Sequence, residues 1–201
     1  MQTLVIPIST ETPAVSGPPH GQWTAADWEN LSHQDKRYEI IDGVLYTQDI
    51  PSNFHQWVIS QLYELVGVPT KDEIYTVSLV AVIISDRTIT QPDFIGIRKS
   101  NIHIVRKWIY GVPDFIAEVI SPGSKDYDEE VKKTAYEKAG VPEYAVIDPA
   151  TRQLRLYTLN ESNQYSDPRV FKERDTVKFA CVSTQSFVVR ELFDGAPDTT
   201  L

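Results

Sequence analysis

The residues with chemical potential are acids and one base set among apolar neighbours. Glu118 lies inside Phe115-Ile116-Ala117-Glu118-Val119-Ile120, a run apolar on both faces. That is the pattern of a central strand covered on both sides. A carboxylate left alone there is costly, so a metal ion, a lysine or an arginine must compensate it, in a structural ion pair or in a functional site. Asp93, in Gln91-Pro92-Asp93-Phe94-Ile95-Gly96-Ile97, stands at the mouth of a second apolar run. It either caps a turn after the proline or is the second acid of a pair. Two carboxylates at neighbouring strand ends make a hard oxygen site suited to magnesium or manganese. Asp114 competes, but its place just before the buried run reads as strand entry.

The base comes from the next element. Residues 127–139 are predicted to be a helix stopped by Gly140. At ~100° per residue with Val131 at zero, Asp128 falls near ~60° and Lys132 near ~100°. Both lie inside the apolar stripe of Val131, Ala135 and Ala139, whereas Lys133, near ~200°, points away. Asp128 and Lys132 stand one turn apart and can pair. Lys132 either snorkels over a core edge or reaches toward the carboxylates.

The other elements must hold these groups in place. Thr24 is a plausible N-cap for a short helix through Leu31. Asp42-Gly43 between two apolar runs predicts a hairpin. Ser52 opens a helix to about Val66, ended by Gly67 and Pro69. Residues 74–84 read as one buried strand with a bulge. Strands are expected over 93–98, 114–120 and 143–147. In the turn-rich tail they are expected over 154–159, 165–171, 176–180 and 187–193. This order gives a mixed α/β (α+β) domain around a central sheet. The 201 residues suffice for one domain, 24–201, preceded by an N-terminal arm, 1–23.

Lys and Arg number 19 against 28 Asp and Glu, a net charge of −9. A generic nucleic-acid coat protein would be basic, so contact with nucleic acid needs a local basic patch or a metal ion. Arg98, Lys99, Arg106 and Lys107 supply such a patch, with no acid between Asp93 and Asp114. The segment meets phosphates or is a solvated connection. The single cysteine, Cys181, excludes an internal disulfide and reads as a buried, inert thiol. Nothing reads as a secretory signal or a bilayer span, so the expected location is cytoplasmic, with no membrane partner.

Taken together, Pro92-Asp93, Pro113-Asp114-Phe-Ile-Ala-Glu118-Val-Ile-Ser121-Pro122 and Asp128…Lys132…Tyr136…Gly140-Val141-Pro142-Glu143-Tyr144…Asp148-Pro149 resemble a known family. It is the Uma-type restriction-endonuclease family, formerly a domain of unknown function, of the PD-(D/E)xK nuclease superfamily. Tyr38-Glu39-Ile-Ile-Asp42-Gly43 and the helix with His55 match its pattern too. The resemblance spans roughly residues 24 to 192 and implies a restriction-endonuclease-like fold, a central mixed β-sheet flanked by helices, here with additional C-terminal β-strands. It implies metal-dependent hydrolysis of phosphodiester bonds in DNA. Asp93 matches the metal-binding aspartate and Glu118 the second acid. The superfamily's usual lysine position, two residues past Glu118, holds Ile120 instead, and Lys132 on the following helix matches the displaced lysine. Asp93, Glu118 and the carbonyl of Val119 would hold magnesium or manganese. Glu39, His55 and Asp128 are possible additional site residues. A homodimer is expected, because one acidic domain of this size offers little surface to grip a duplex. The rival readings are a catalytically degenerate binding module on the same fold and an oligomeric scaffold.

Overall fold

The computed structural model describes residues 6–7, 15–31, 36–48, 50–121, 123–182 and 184–196. Most of the expected arm (1–5 and 8–14) and Pro122 of the family motif lie outside the described residues.

Among the described residues the chain builds two six-stranded sheets and a short two-stranded one. The strands are β1 (Ile6–Pro7), β2 (Arg37–Ile41), β3 (Val44–Gln48), β4 (Ile74–Val77), β5 (Val82–Ser85), β6 (Thr88–Thr90), β7 (Phe94–Arg98), β8 (Ile109–Tyr110), β9 (Phe115–Val119), β10 (Glu143–Asp148), β11 (Gln153–Thr158), β12 (Arg169–Phe171), β13 (Thr176–Val177) and β14 (Phe187–Val188). One sheet runs β1-β3-β2-β6-β5-β8 and the other β12-β11-β10-β9-β7-β4. In the second, β9 pairs parallel with β10 and antiparallel with β7. Among the described helices are α1 (Ala25–Glu29), α2 (Asn53–Leu62) and α3 (Lys133–Ala139).

Local chemistry explains the joints. Thr24 caps α1 reciprocally with Asp27, the capping box its sequence allows. Asp42 and Gly43 both take positive φ, 51° and 78°, as the tight β2–β3 turn requires. The 127–139 helix starts with a π-helical stretch, Tyr127–Lys132, before α3. It ends at Gly140 in the left-handed conformation.

The expected strand over 74–84 is two strands in two sheets. Leu79 adopts φ 56° and the chain crosses from the β7 edge to the other sheet. The tail strands are also shorter than expected: β12 begins at Arg169, and β14 gives way to a 3-10 turn over Val189–Leu192.

Alternation along β9 divides the core. Phe115, Ala117 and Val119 face α2 residues Val58, Ile59 and Leu62 and the C-terminal segment. Ile116 faces Tyr136 on α3, and Glu118 shares that face by the two-residue period. The β2–β3 hairpin closes the other side of the long helix through Ile41, Tyr46, Tyr127 and Ala135. The helix is therefore sandwiched between the sheets, and the acids of both sheets meet across it. Among the described residues no helix is long and apolar enough to cross a membrane.

Candidate active site

Asp93 immediately precedes β7, and Glu118 sits near the end of the antiparallel strand β9, so the two acids meet at one end of the sheet. Their backbones lock them together. The Asp93 N–H donates to Glu118 Oε2 at 3.3 Å, and the Val119 N–H donates to Asp93 Oδ2 at 2.9 Å. Lys132 Nζ donates to Glu118 Oε1 at 2.9 Å, and the Tyr136 hydroxyl donates to the same oxygen at 3.0 Å. Glu118 and Lys132 are each 1 % exposed. Asp93, Glu118 and Lys132, drawn from three separate elements, thus share one pocket of about 290 Å³.

Three further expected residues join them. Asp128 Oδ1 lies 3.6 Å from Lys132 Nζ, and Asp128 Oδ2 accepts from Ser124 Oγ at 2.8 Å. Glu39 reaches across from β2, with Oε2 at 3.3 Å from Lys132 Nζ. Glu39 also accepts from the Tyr127 hydroxyl at 2.8 Å, from the Gln48 side chain and from the Gln91 N–H. It is thus a fully buried brace between the sheets rather than a surface hairpin charge. His55, in the first turn of α2, places Nε2 3.1 Å from Asp93 Oδ1, an approach without hydrogen-bond alignment. Its Nδ1 lies 3.0 Å from Ser121 Oγ. Val119 lines the pocket beside them.

Four carboxylates, Glu39, Asp93, Glu118 and Asp128, act on the one ammonium of Lys132. Among the described residues Arg37 is the only other lysine or arginine cation on the wall, so the pocket is short of positive charge. Burial pushes Glu118 well above the ordinary carboxylate range, and Asp93, Asp128 and Glu39 push the same way against the pull of Lys132. Asp128 is raised to about 6 by burial, with Asp93 and Glu39 adding, against Lys132 and Ser124. Burial alone would also raise Asp93, but the adjacent His55 imidazole, the charge of Lys132 and the Val119 N–H together hold it below its usual value. Burial would lower Lys132, yet Glu118, Glu39, Asp128 and Asp93 raise it, so it stays protonated.

The donor chemistry fits a hard dication. Among the described residues no three His, Cys, Asp or Glu side chains form a ready cluster. Magnesium does not need one, since it keeps several waters and is held through one or two carboxylates and substrate oxygens. Glu118 Oε2 and Asp93 Oδ2 each accept one main-chain bond, which leaves each a second lone-pair direction. The excess of carboxylates favours a cation beside them.

The basic segment lies elsewhere. Arg98 ends β7, the strand that Asp93 immediately precedes, so roughly 16 Å of extended chain separates them. It contacts Asp114 at 3.6 Å and donates to the Ala180 carbonyl at 2.9 Å. Lys99 follows in a 3-10 turn, and Arg106 and Lys107 lie over the Tyr110 and Trp108 rings. None of the four lines the acidic pocket, whereas Arg37 does. The connection between two antiparallel strands falls at the end opposite the acids. Cys181 is buried as expected, its thiol raised by burial and by Glu143. Sequence reasoning missed Tyr127, Gln48 and Ser124 as polar partners and did not single out the Tyr136 hydroxyl. A tyrosine in an apolar stripe reads as core, and only a buried acid opposite it reveals the hydroxyl's task.

The comparisons with known proteins agree with this architecture. No curated protein matches the chain. A crystal structure described as "a putative nuclease belonging to DUF820", from Anabaena variabilis ATCC 29413, is similar in fold at 18 % identity and a TM-score of 0.72. The match covers 85 % of this chain and 97 % of that one. The family model Uma2, described as "Putative restriction endonuclease", matches residues 25–187, a span that contains every acid and the lysine of the pocket. The chain belongs to the Uma2 family.

Proposed function

We propose that this protein is a divalent-metal-dependent endonuclease that hydrolyses phosphodiester bonds in DNA. The observation that carries the reading is the convergence of Asp93, Glu118 and Lys132 in one buried pocket, with Lys132 Nζ 2.9 Å from Glu118. The family description and the nuclease neighbour support the same chemistry. Magnesium or manganese, held by Asp93, Glu118 and the main-chain carbonyl of Val119, would supply Lewis-acid polarisation of the phosphate and a nucleophilic water at neutral pH.

The chain's own groups have separable tasks. Lys132, kept protonated by its acidic neighbours, donates to the phosphoryl oxygen that gains charge, or orients the attacking water. Glu39 and Asp128 fix its ammonium from two sides. His55, set by Ser121, holds Asp93 in orientation. Arg37, on the pocket wall, is the cation for the phosphate beside the scissile bond, while Arg98, Lys99, Arg106 and Lys107 reach only remote phosphates. Pairing of two copies would lengthen the grip on a duplex, and light scattering tests that; a monomer rejects it.

The test is cleavage of plasmid and oligonucleotide substrates with magnesium or manganese, wild type against Glu118→Ala. Metal-dependent cleavage in the wild type, lost in the variant, is expected. Cleavage that survives in the variant rejects the site. Binding without turnover in the wild type identifies a degenerate binding module. Indifference to metal, with a change of size when residues 1–20 are removed, identifies a scaffold.

A further inference from the structure

We propose that the cavity adjoining the acidic pocket is a base-binding subsite, so that the strand entering the site carries an unpaired nucleotide next to the phosphate to be cut. This deepens the nuclease reading above and rests on it. The cavity, about 660 Å³, lies between the start of α2 and the loops that follow β9 and β10. It shares Ser52, His55 and Ser121 with the acidic pocket, so the two are continuous across one wall. Its size falls in the range of small-ligand sites, about 300–1,000 Å³. Phe54, Ile120 and Pro149 give it apolar walls, and Lys125 and Thr151 stand on the same lining. Apolar faces with a few polar groups are what a stacked base requires.

Two features argue against a base that stays in its duplex. Asp93 and Glu118 are 5 % and 1 % exposed, so the phosphate must descend into a recess, and the neighbouring nucleotide must leave the stack with it. Ile50, 88 % exposed, stands on the rim of the acidic pocket beside Pro51. An exposed aliphatic residue there is suited to wedge into a base step. Extruding a base costs least where it is already unpaired.

The test measures binding of labelled oligonucleotides of one sequence by fluorescence anisotropy, with calcium in place of magnesium. The probes are single-stranded, fully paired, and paired with one unpaired base. Wild type is expected to favour the unpaired forms by about tenfold, the scale of one base–aromatic stack. Ala150→Trp, which fills the cavity from its surface turn, should erase that preference and leave affinity for the paired duplex unchanged. Ile50→Ser should weaken only the probe with one unpaired base. Equal affinity for all probes in the wild type, or no binding to any, overturns the proposal. Cleavage with magnesium separates the two readings: selective binding without cleavage keeps the subsite and removes the nuclease, and cleavage without strand preference does the reverse.

Discussion

Replacing Lys132 by methionine removes the one ammonium that the pocket's acids share while preserving the volume of the side chain. Lys132 Nζ lies 2.9, 3.3 and 3.6 Å from Glu118, Glu39 and Asp128. At an effective dielectric near 20, each such pair attracts by roughly 5 kcal/mol before desolvation is counted. Taking the ammonium out of water cancels most of that sum. Deleting one member of a buried pair costs about 3–5 kcal/mol net, because the acids left behind are uncompensated. For a chain of this size that is a fall in Tm of roughly 6–20 °C. The loss must depend on pH. Near pH 8, above the value of about 6 to which burial raises Asp128, that acid is charged and needs the lysine. Near pH 5, below the value of about 6 to which burial raises Asp128, that acid is protonated, burial shifts Glu118 in the same direction, and the deficit shrinks. Magnesium near pH 8 should restore more stability to Lys132→Met than to the wild type, since a dication neutralises the same acids. Urea unfolding at the two pH values, with and without magnesium, measures all three effects. A variant as stable as the wild type near pH 8, or a deficit of equal size at both pH values, would refute the electrostatic reasoning.

Asp93→Asn keeps the shape but weakens a carboxylate that accepts from Val119 and faces His55. It should lower magnesium affinity by at least about tenfold, seen by calorimetry, while Tm changes little. Cleavage and metal affinity should rise as pH climbs through about 6, where Asp128 loses its proton and adds its charge to the acids that draw the cation. The matching stability term has the opposite sign. The folded state holds the Asp128 proton more tightly than the unfolded chain, so this residue's contribution falls as pH rises from about 4 to about 6. Asp128→Asn should flatten both profiles. Glu39→Ala strands the Tyr127 hydroxyl and the Gln91 N–H and should cost about 3 kcal/mol in urea unfolding. Joint replacement of Lys99, Arg106 and Lys107 by glutamine should leave turnover of short oligonucleotides unchanged, whereas Arg37→Gln should raise KM; the reverse result would return the phosphate contact to the basic segment.

Much of the site was legible because burial and charge conflict within the sequence itself. Glu118 stands out in a run otherwise apolar on both faces, and Lys132 and Asp128 stand out on an apolar helical stripe. The wheel placed them correctly even though Tyr127–Lys132 is π-helical, because residues four apart still meet across one turn. Other features carried no local mark. Residues 74–84 form the same β-branched run whether they stay in one sheet or cross to another, and nothing beside Leu79 announces the crossing. Glu39 follows Tyr38 at the start of a hairpin, a place equally suited to a solvated charge, and only the π-helical turn that brings Tyr127 and Lys132 against it reveals the brace. The basic segment lies between the two acids in sequence, but the antiparallel pairing of β7 and β9 sends it to the opposite end of the sheet.

Manganese titration of the wild type and of Glu118→Gln, with the free ion followed by electron paramagnetic resonance, tests the pocket most directly. Saturable binding in the wild type, weakened at least about tenfold in a variant that keeps its circular dichroism spectrum, is the predicted result. Equal binding by both proteins, or none by the wild type, would contradict the assignment of these acids to a metal.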